Sequence, residues 1–244
     1  GIGANATAMA LAVRADGSVI VGGSFTLMGS TARSGIARLL ANGAVDPAFD
    51  PGIGIDVSWL YNGVQCMALQ PNDHVLIGGA FTSSDGVGRN RLARLNSDGS
   101  TDAAFMPAGT GLNNTAYVVT VQPDGKVLVG GAFSSANGVG RNRIARFNTD
   151  GSLDASFDPG MGFNGYYVES ITVQPDGKII VGGEFTMFNG IAAPHLVRLN
   201  TDGSRDNTFD VGAGTDGSVL SSAVLADGRI MIAGNFGTVN GVFT

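Results

Sequence analysis

The chain has 244 residues, 43% hydrophobic and only 14% charged, which excludes a disordered chain and suits a single all-β domain with a proper core. A net charge of −6 with no basic stripe argues against nucleic acid and anionic membrane surfaces as partners, and no apolar run approaches the roughly 18 residues of a spanning helix. The single cysteine, Cys66, excludes an intramolecular disulfide and a multi-cysteine metal cluster, and reads as a small buried apolar residue.

The chain opens on "GIGANAT", without Met or a signal peptide, as expected of a processed product or a piece of something longer. The block "RADGSVIVGGSF" begins at residue 14. It returns as "QPNDHVLIGGAF" from 70, "QPDGKVLVGGAF" at 122–133, "QPDGKIIVGGEF" at 174–185 and "LADGRIMIAGNF" from 225. The closing rings Phe25, Phe81, Phe133, Phe185 and Phe236 are spaced by 56, 52, 52 and 51 residues. A second block follows the first four: "GIARLLANGAVDPAFDPG", "RLARLNSDGSTDAAFMPAG", "RIARFNTDGSLDASFDPG" and "HLVRLNTDGSRDNTFDVG". The count predicts one domain over 1–244 with four full repeats, about 4–54, 55–111, 112–162 and 163–214, and a partial fifth over 215–244.

Each repeat reads as strands. "VVTVQ" or "SITVQ" is a first strand, and "PDG" supplies a turn. "KVLVGG" or "KIIVGG" is a second strand whose consecutive apolar residues predict burial on both faces. "IARFN" is a third, and after "TDG" the segment "SLDASF" is a short edge strand. Four strands per ~52-residue repeat predict a β-propeller of tandem four-stranded blades. A β-solenoid is the alternative, but its coils are usually shorter and lack paired hairpin turns at fixed offsets.

The paired pattern V-Q-P-D-G-K-[IV]-[IL]-V-G-G-x-F and R-[LF]-N-x-D-G-S-x-D-x-x-F resembles the bacterial delta-60 repeat over nearly the whole chain. That resemblance implies a β-propeller in a large secreted or surface-exposed bacterial protein, or in a phage fibre. It implies no catalytic activity and carries over no functional residue. Repeat 1 departs most, with Ala15 for Pro and "LLANGAVD" for "RLNSDGSTD".

"N-x-D-G-S-x-D" invites comparison with a calcium loop, which needs oxygen ligands at positions 1, 3 and 5 and Glu at 12. Here Arg94 stands at position 1 and Phe105 at 12, so no metal site is expected. A three-residue turn, Ser97-Asp98-Gly99, instead places Arg94 opposite Asp102. The same count pairs Arg38 with Asp46, Arg146 with Asp154 and Arg198 with Asp206, as structural ion pairs across a hairpin. The two phenylalanine columns, one ending the first block and one made of Phe49, Phe105, Phe157 and Phe209, are expected to pack between blades.

Chemistry is sparse. His74 and His195 are out of phase and predict no shared metal site, and no nucleophile elbow, zinc-protease or phosphate-loop motif is present. The segments before the first strand vary in length and carry large aromatics: Trp59, Tyr61, Tyr117, Phe163, Tyr166 and Tyr167. These are the candidate ligand-binding residues, since loops on rigid scaffolds carry function and Trp and Tyr are common anchors. The expected function is a non-catalytic structural or adhesive module without cofactor, contacting protein or cell envelope at a bacterial surface or on a phage fibre. A lectin-like propeller binding glycans through those loops is the alternative. Flanking domains or other chains are expected to complete the partial blade, because an open sheet edge is an aggregation hazard.

Overall fold

The computed structural model describes residues 3–57, 63–106 and 109–243. Every element in it is a strand or a turn. The first repeat contains β1 (Ala8–Val13), β2 (Val19–Gly23), β3 (Leu27–Met28), β4 (Thr31–Ala32) and β5 (Ile36–Leu39). The second contains β6 (Val64–Leu69), β7 (Val75–Gly79), β8 (Ser83–Ser84), β9 (Val87–Gly88) and β10 (Leu92–Leu95). The third contains β11 (Ala116–Val121), β12 (Val127–Gly131), β13 (Ser135–Ala136), β14 (Val139–Gly140) and β15 (Ile144–Phe147). The fourth contains β16 (Tyr167–Val173), β17 (Ile179–Glu184), β18 (Met187–Phe188), β19 (Ile191–Ala192) and β20 (Leu196–Leu199). The partial fifth contains β21 (Val219–Val224), β22 (Ile230–Gly234), β23 (Thr238–Val239) and β24 (Val242–Phe243).

In each full repeat the first, second and last of these strands form an antiparallel sheet, such as β11-β12-β15, and the short middle pair forms its own hairpin. Among the described residues the fifth sheet consists of β21 and β22. The inner strands β1, β6, β11, β16 and β21 stand beside one another in chain order. The repeats are therefore radially stacked blades of a β-propeller.

Two features go beyond the sequence pattern. The middle hairpin turns on Asp85-Gly86, Asn137-Gly138, Asn189-Gly190 and Asn240-Gly241, with positive φ at both residues of each pair. That is the two-residue turn whose twist matches antiparallel strands. The edge strand expected from "SLDASF" is reduced to one bridge, Phe147↔Leu153, repeated as Leu39↔Val45, Leu95↔Thr101 and Leu199↔Arg205. The aspartate that follows ends it. Asp154 Oδ1 accepts the Ser156 amide, and its carbonyl accepts the Phe157 amide, so the chain turns away.

The core consists of layers between repeats. In β7 the side chains of Val75 and Ile77 pack with Ala10, Ile20 and Ile36 of the first repeat. Leu76 between them packs with Val127 and Val129 of the third. Leu128 faces forward in the same way, onto Val168 and Ile171. A strand clamped on both sides needs apolar residues at consecutive positions, and each fully buried aliphatic side chain contributes about 1.5–3 kcal/mol. The first glycine of "VGG" sets the spacing. A Cβ at Gly130 would sit 2.5 Å from Val168 Cγ1 and 2.7 Å from Val118 Cγ1.

A guanidinium bridges each of the first three pairs of neighbouring repeats. The Nε of Arg38, Arg94, Arg146 and Arg198 donates to Asp46, Asp102, Asp154 and Asp206 respectively, each at 2.7 Å. The hairpin register has the counted form: the Asp102 amide donates to the Arg94 carbonyl at 2.8 Å and the Asn96 amide to the Ser100 carbonyl at 2.8 Å. Nη1 of the first three arginines reaches into the next repeat and donates to the carbonyls of Ser97, Thr149 and Thr201 at 2.6–2.7 Å. Each guanidinium also lies over a ring of the second phenylalanine column, as Arg146 does over Phe157 at 4.8 Å. Lys126 and Lys178 add a second cation to Asp154 and Asp206, at 2.9 and 2.8 Å.

These contacts hold all four aspartates below the usual carboxylate range. Burial opposes ionisation at Asp102 and Asp154, but hydrogen bonds and the cations outweigh it. The Ala48 amide leads at Asp46, and Lys178 leads at Asp206.

Three measurements check this account. By chemical denaturation, Gly130→Ala is expected to cost about 1–3 kcal/mol through overpacking. Gly140→Ala, where an added Cβ meets nothing within 4 Å, should stay within about 0.5 kcal/mol. Arg146→Ala removes the bond to the Thr201 carbonyl and leaves Asp154 with Lys126 as its remaining cation, and should cost about 1–3 kcal/mol. Arg198→Ala should cost less, because Arg198 is tied to no following turn. The depressed aspartates contribute stability that is fully present above the ordinary carboxylate value of about pH 4 and is lost as pH falls through their folded values. The melting temperature should therefore fall steadily below about pH 4, and Asp154→Asn should flatten that fall.

Candidate binding site

The inner strand of every repeat carries a β-bulge. Register shifts between Ala8 and Ala10, Val64 and Cys66, Ala116 and Val118, Val168 and Ser170, and Val219 and Ser221. The extra residues are Met9, Gln65, Tyr117, Glu169 and Leu220. Bulges re-aim a side chain and are common beside binding sites. Since the inner strands are neighbours, the five bulges form one row, and its chemistry changes from repeat to repeat.

Tyr117 and Glu169 are adjacent in that row. The Tyr117 ring meets Tyr167 edge-on, with centroids 5.1 Å apart and planes at 82°. Tyr166 continues the cluster, 5.9 Å from Tyr167. Tyr117 and Tyr167 are half-buried, whereas Tyr166 is 65% exposed. Arg143 fixes the approach to β16: Nε donates to the Tyr166 carbonyl at 3.1 Å and Nη2 to the Gly165 carbonyl at 2.9 Å. Tyr167 pairs with Glu184 across the sheet.

The electrostatics follow from crowding. Burial, and then the like charge of Glu184, pushes the Glu169 carboxyl up. Its Oε2 is buried and has no hydrogen-bond partner among the described residues. Burial also pushes the Tyr117 phenol up, helped by Tyr167 and Glu169 and opposed by a hydrogen bond with Thr115. The cluster thus offers aromatic faces for stacking beside two carboxyl groups, of which Glu169 keeps Oε2 buried.

Of the six aromatics singled out in the sequence, the structure brings Tyr117, Tyr166 and Tyr167 together. Trp59 and Tyr61 lie outside the described residues. Phe163 belongs elsewhere. It is 3% exposed, its ring packs 4.4 Å from Phe185 and 4.8 Å from Phe188, and its backbone bridges Phe188. In that role it matches Ala4, Ile55, Leu112 and Thr215, which make the same bridge in their own repeats. Phe163 is a correction: a core residue of the blade, closed to ligand.

Glu169, Glu184 and Arg143 went unnoticed in the sequence. Glu184 had a signal, since its position holds Ser24, Ala80, Ala132 and Asn235 in the other repeats. The histidines are apart: His74 Nδ1 is 3.9 Å from Asp102, while His195 Nδ1 lies 3.2 Å from the Gly183 carbonyl. The Cys66 thiol packs against Gly78 and Ala116, and burial pushes its pKa up to about 12. In the turns, Asp98 Oδ1 accepts both the amide and the hydroxyl of Ser100. Among the described residues no group of three or more His, Cys, Asp or Glu could hold a metal ion.

Comparison with known proteins bears on the fold. The chain is similar to a protein assigned as a gluconolactonase, at 18% identity and a TM-score of 0.52, over 94% of this chain and 72% of that one. It is also similar to the extracellular domain of a hybrid two-component system from B. thetaiotaomicron, at 13% identity and a TM-score of 0.51, over 91% of this chain and 26% of that one. At these identities the likeness shows the fold alone. No curated protein matches the sequence. The family described as "Domain of unknown function (DUF5122) beta-propeller" matches residues 14–49, 70–105, 122–157, 174–209 and 225–244, which is more than half of the chain. The first four matched segments run from the inter-strand turn of their repeat to the second phenylalanine column, and the chain belongs to this β-propeller repeat family.

Proposed function

We propose that the chain is a non-catalytic interaction module, a propeller within a larger secreted, cell-surface or fibre protein, which contacts proteins or the cell envelope. One observation carries this reading. The side chains that recur in every repeat are engaged in holding repeats together, and the repeat-specific chemistry collects at the bulge row and its tyrosines. The delta-60-type motif supports a place outside a bacterial cell or on a phage fibre. It also supports the absence of catalysis and of a cofactor, while the net charge of −6 with no basic stripe speaks against a nucleic-acid partner and the lack of a long apolar run against insertion of a membrane helix. The gluconolactonase likeness brings no catalytic residue to this chain.

A second reading, glycan binding, is favoured by the exposed Tyr166 ring beside Tyr117, Tyr167 and the unpartnered Glu169 oxygen. Aromatic faces stack on sugar rings while carboxylates accept hydroxyl hydrogen bonds. Trp59 and Tyr61 join this set by sequence.

Binding of the isolated chain to a glycan array and to bacterial envelope fractions separates the two readings. Envelope protein retained without glycan signal supports the first, and a glycan signal supports the second. In either case Tyr166→Ala, which leaves the core untouched, should weaken binding about tenfold, the loss typical of an interface anchor. Unchanged binding by a Trp59→Ala, Tyr166→Ala double variant would sink the aromatic-cluster site.

A further inference from the structure

Glu169 and Glu184 are the only glutamates of the chain, and they lie together with three of its four tyrosines. The other acids are aspartates, and the repeat gives those it uses a partner. Asp154 meets Arg146 and Lys126, and Asp98 caps its own turn through Ser100. Among the described residues every salt bridge uses an aspartate, and none reaches either glutamate. Arg143, the guanidinium that binds this segment, donates instead to the carbonyls of Tyr166, Gly165 and Phe133. The repeat does not call for the glutamates. The position of Glu169 holds Met9, Gln65, Tyr117 or Leu220 elsewhere, and that of Glu184 holds Ser24, Ala80, Ala132 or Asn235.

Two like charges brought together without a cation define what a ligand must bring. A neutral sugar hydroxyl donates to a carboxylate but leaves the repulsion in place. A divalent cation takes about six to eight oxygen ligands, and the patch supplies two carboxylates. An ammonium group brings both a positive charge and N–H donors. A carboxylate shares its charge over both oxygens, so an ammonium against the half-buried Glu169 side chain also compensates its enclosed Oε2. The rings complete the site. The edge-to-face contact of Tyr117 with Tyr167 sets two faces at 82°, and Tyr166 stands open to solvent beside them. Tyrosine faces attract cations and also offer flat apolar area.

We infer that this patch binds an amino sugar with a free amine, its ammonium against Glu169 and Glu184 and its ring against Tyr166. The inference rests on the glycan-binding reading and narrows it to a cationic sugar. A lysine side chain would bring the same charge, but its slender stem has no flat face to cover the exposed Tyr166 ring.

The test titrates the 244-residue chain, by calorimetry at neutral pH, with a glucosamine tetramer bearing free amines and with its N-acetylated form, which has the same rings without the charge. The free-amine tetramer is expected to bind about tenfold more tightly or better. Glu169→Gln is nearly isosteric and relieves the crowded charge, so it should fold normally and lose about tenfold in affinity for that tetramer. Asp124→Asn removes the same charge from an exposed turn and should change nothing. Equal binding of the two tetramers, both weakened by Tyr166→Ala, overturns the ammonium inference and leaves the glycan reading standing. Binding of neither tetramer overturns the inference, whereas failure of the glycan reading requires a silent array as well. Equal losses in Glu169→Gln and Asp124→Asn reduce the effect to overall charge and overturn it. Glu169-dependent binding of calcium chloride alone also overturns it, as does penta-lysine binding as tightly as the free-amine tetramer, which reassigns the patch to protein side chains.

Discussion

The architecture depends on one guanidinium per repeat. Arg146 holds the aspartate of its own hairpin, donates to a turn carbonyl of the next repeat and covers the ring of Phe157. Lysine could not do this, because only the planar fork of arginine serves several acceptors in fixed directions while stacking on an aromatic face. A buried ion pair is weak evidence of net stability, since desolvation offsets much of the attraction. Its value here is geometric: it fixes hairpin register and the distance to the following blade together. Repeat 1 makes the point. Its turn has lost the Asn-x-Asp-Gly-Ser chemistry, and Asn42 Oδ1 caps the Ala44 amide instead, yet the Arg38–Asp46 pair keeps the same 2.7 Å geometry.

Much of this was legible in the sequence because it depends on short-range counting. A three-residue turn with Gly99 in the left-handed region dictates which residues oppose, and the opposed charges follow. Consecutive apolar residues such as Val127, Leu128 and Val129 have one economical explanation, burial on both faces. The middle hairpin was also written in the chain, as "ANG" and "FNG", but its strands of two residues are too short for any apolar period to draw attention. The bulges were not legible. An extra residue in a strand leaves the composition unchanged, and it is visible only once the partner strand is in place.

The same limit explains the mixed fate of the aromatics. Reading the segments before each inner strand as variable loops grouped Phe163 with Tyr166 and Tyr167. Phase separates them: Phe163 aligns with Ala4, Ile55, Leu112 and Thr215, all of which close the blade's short hairpin. Tyr117 acquires its neighbours from the bulge, since Tyr167 belongs to the next repeat and meets it only because the inner strands are side by side. Glu169 shares that origin. A carboxyl pressed by burial and by the like charge of Glu184 is an unfavourable element that the repeat pattern does not require, which sets this patch apart from the repeat.

Stacked repeats behave nearly as a one-dimensional array, in which stability is a sum of intrinsic and nearest-neighbour contributions. The first repeat differs from the following ones in which inner-strand positions it buries. Leu11 and Val13 are 67% and 69% exposed, whereas Val119 and Ile171, the counterparts of Leu11, are buried against the preceding repeat. At the other end, the first glycine of "VGG" is replaced by Ala233. The glycines at this position admit the next blade's inner strand at a spacing that a Cβ would obstruct. With alanine there, a further blade packed at the internal spacing would meet an extra methyl, and close approach requires a small residue facing it. Ala116 already faces Gly78 in the interior, and Ala8 holds the equivalent place in the first repeat. Repeats 1 and 5 therefore differ from the repeats between them at the same blade-to-blade contacts that make the fold.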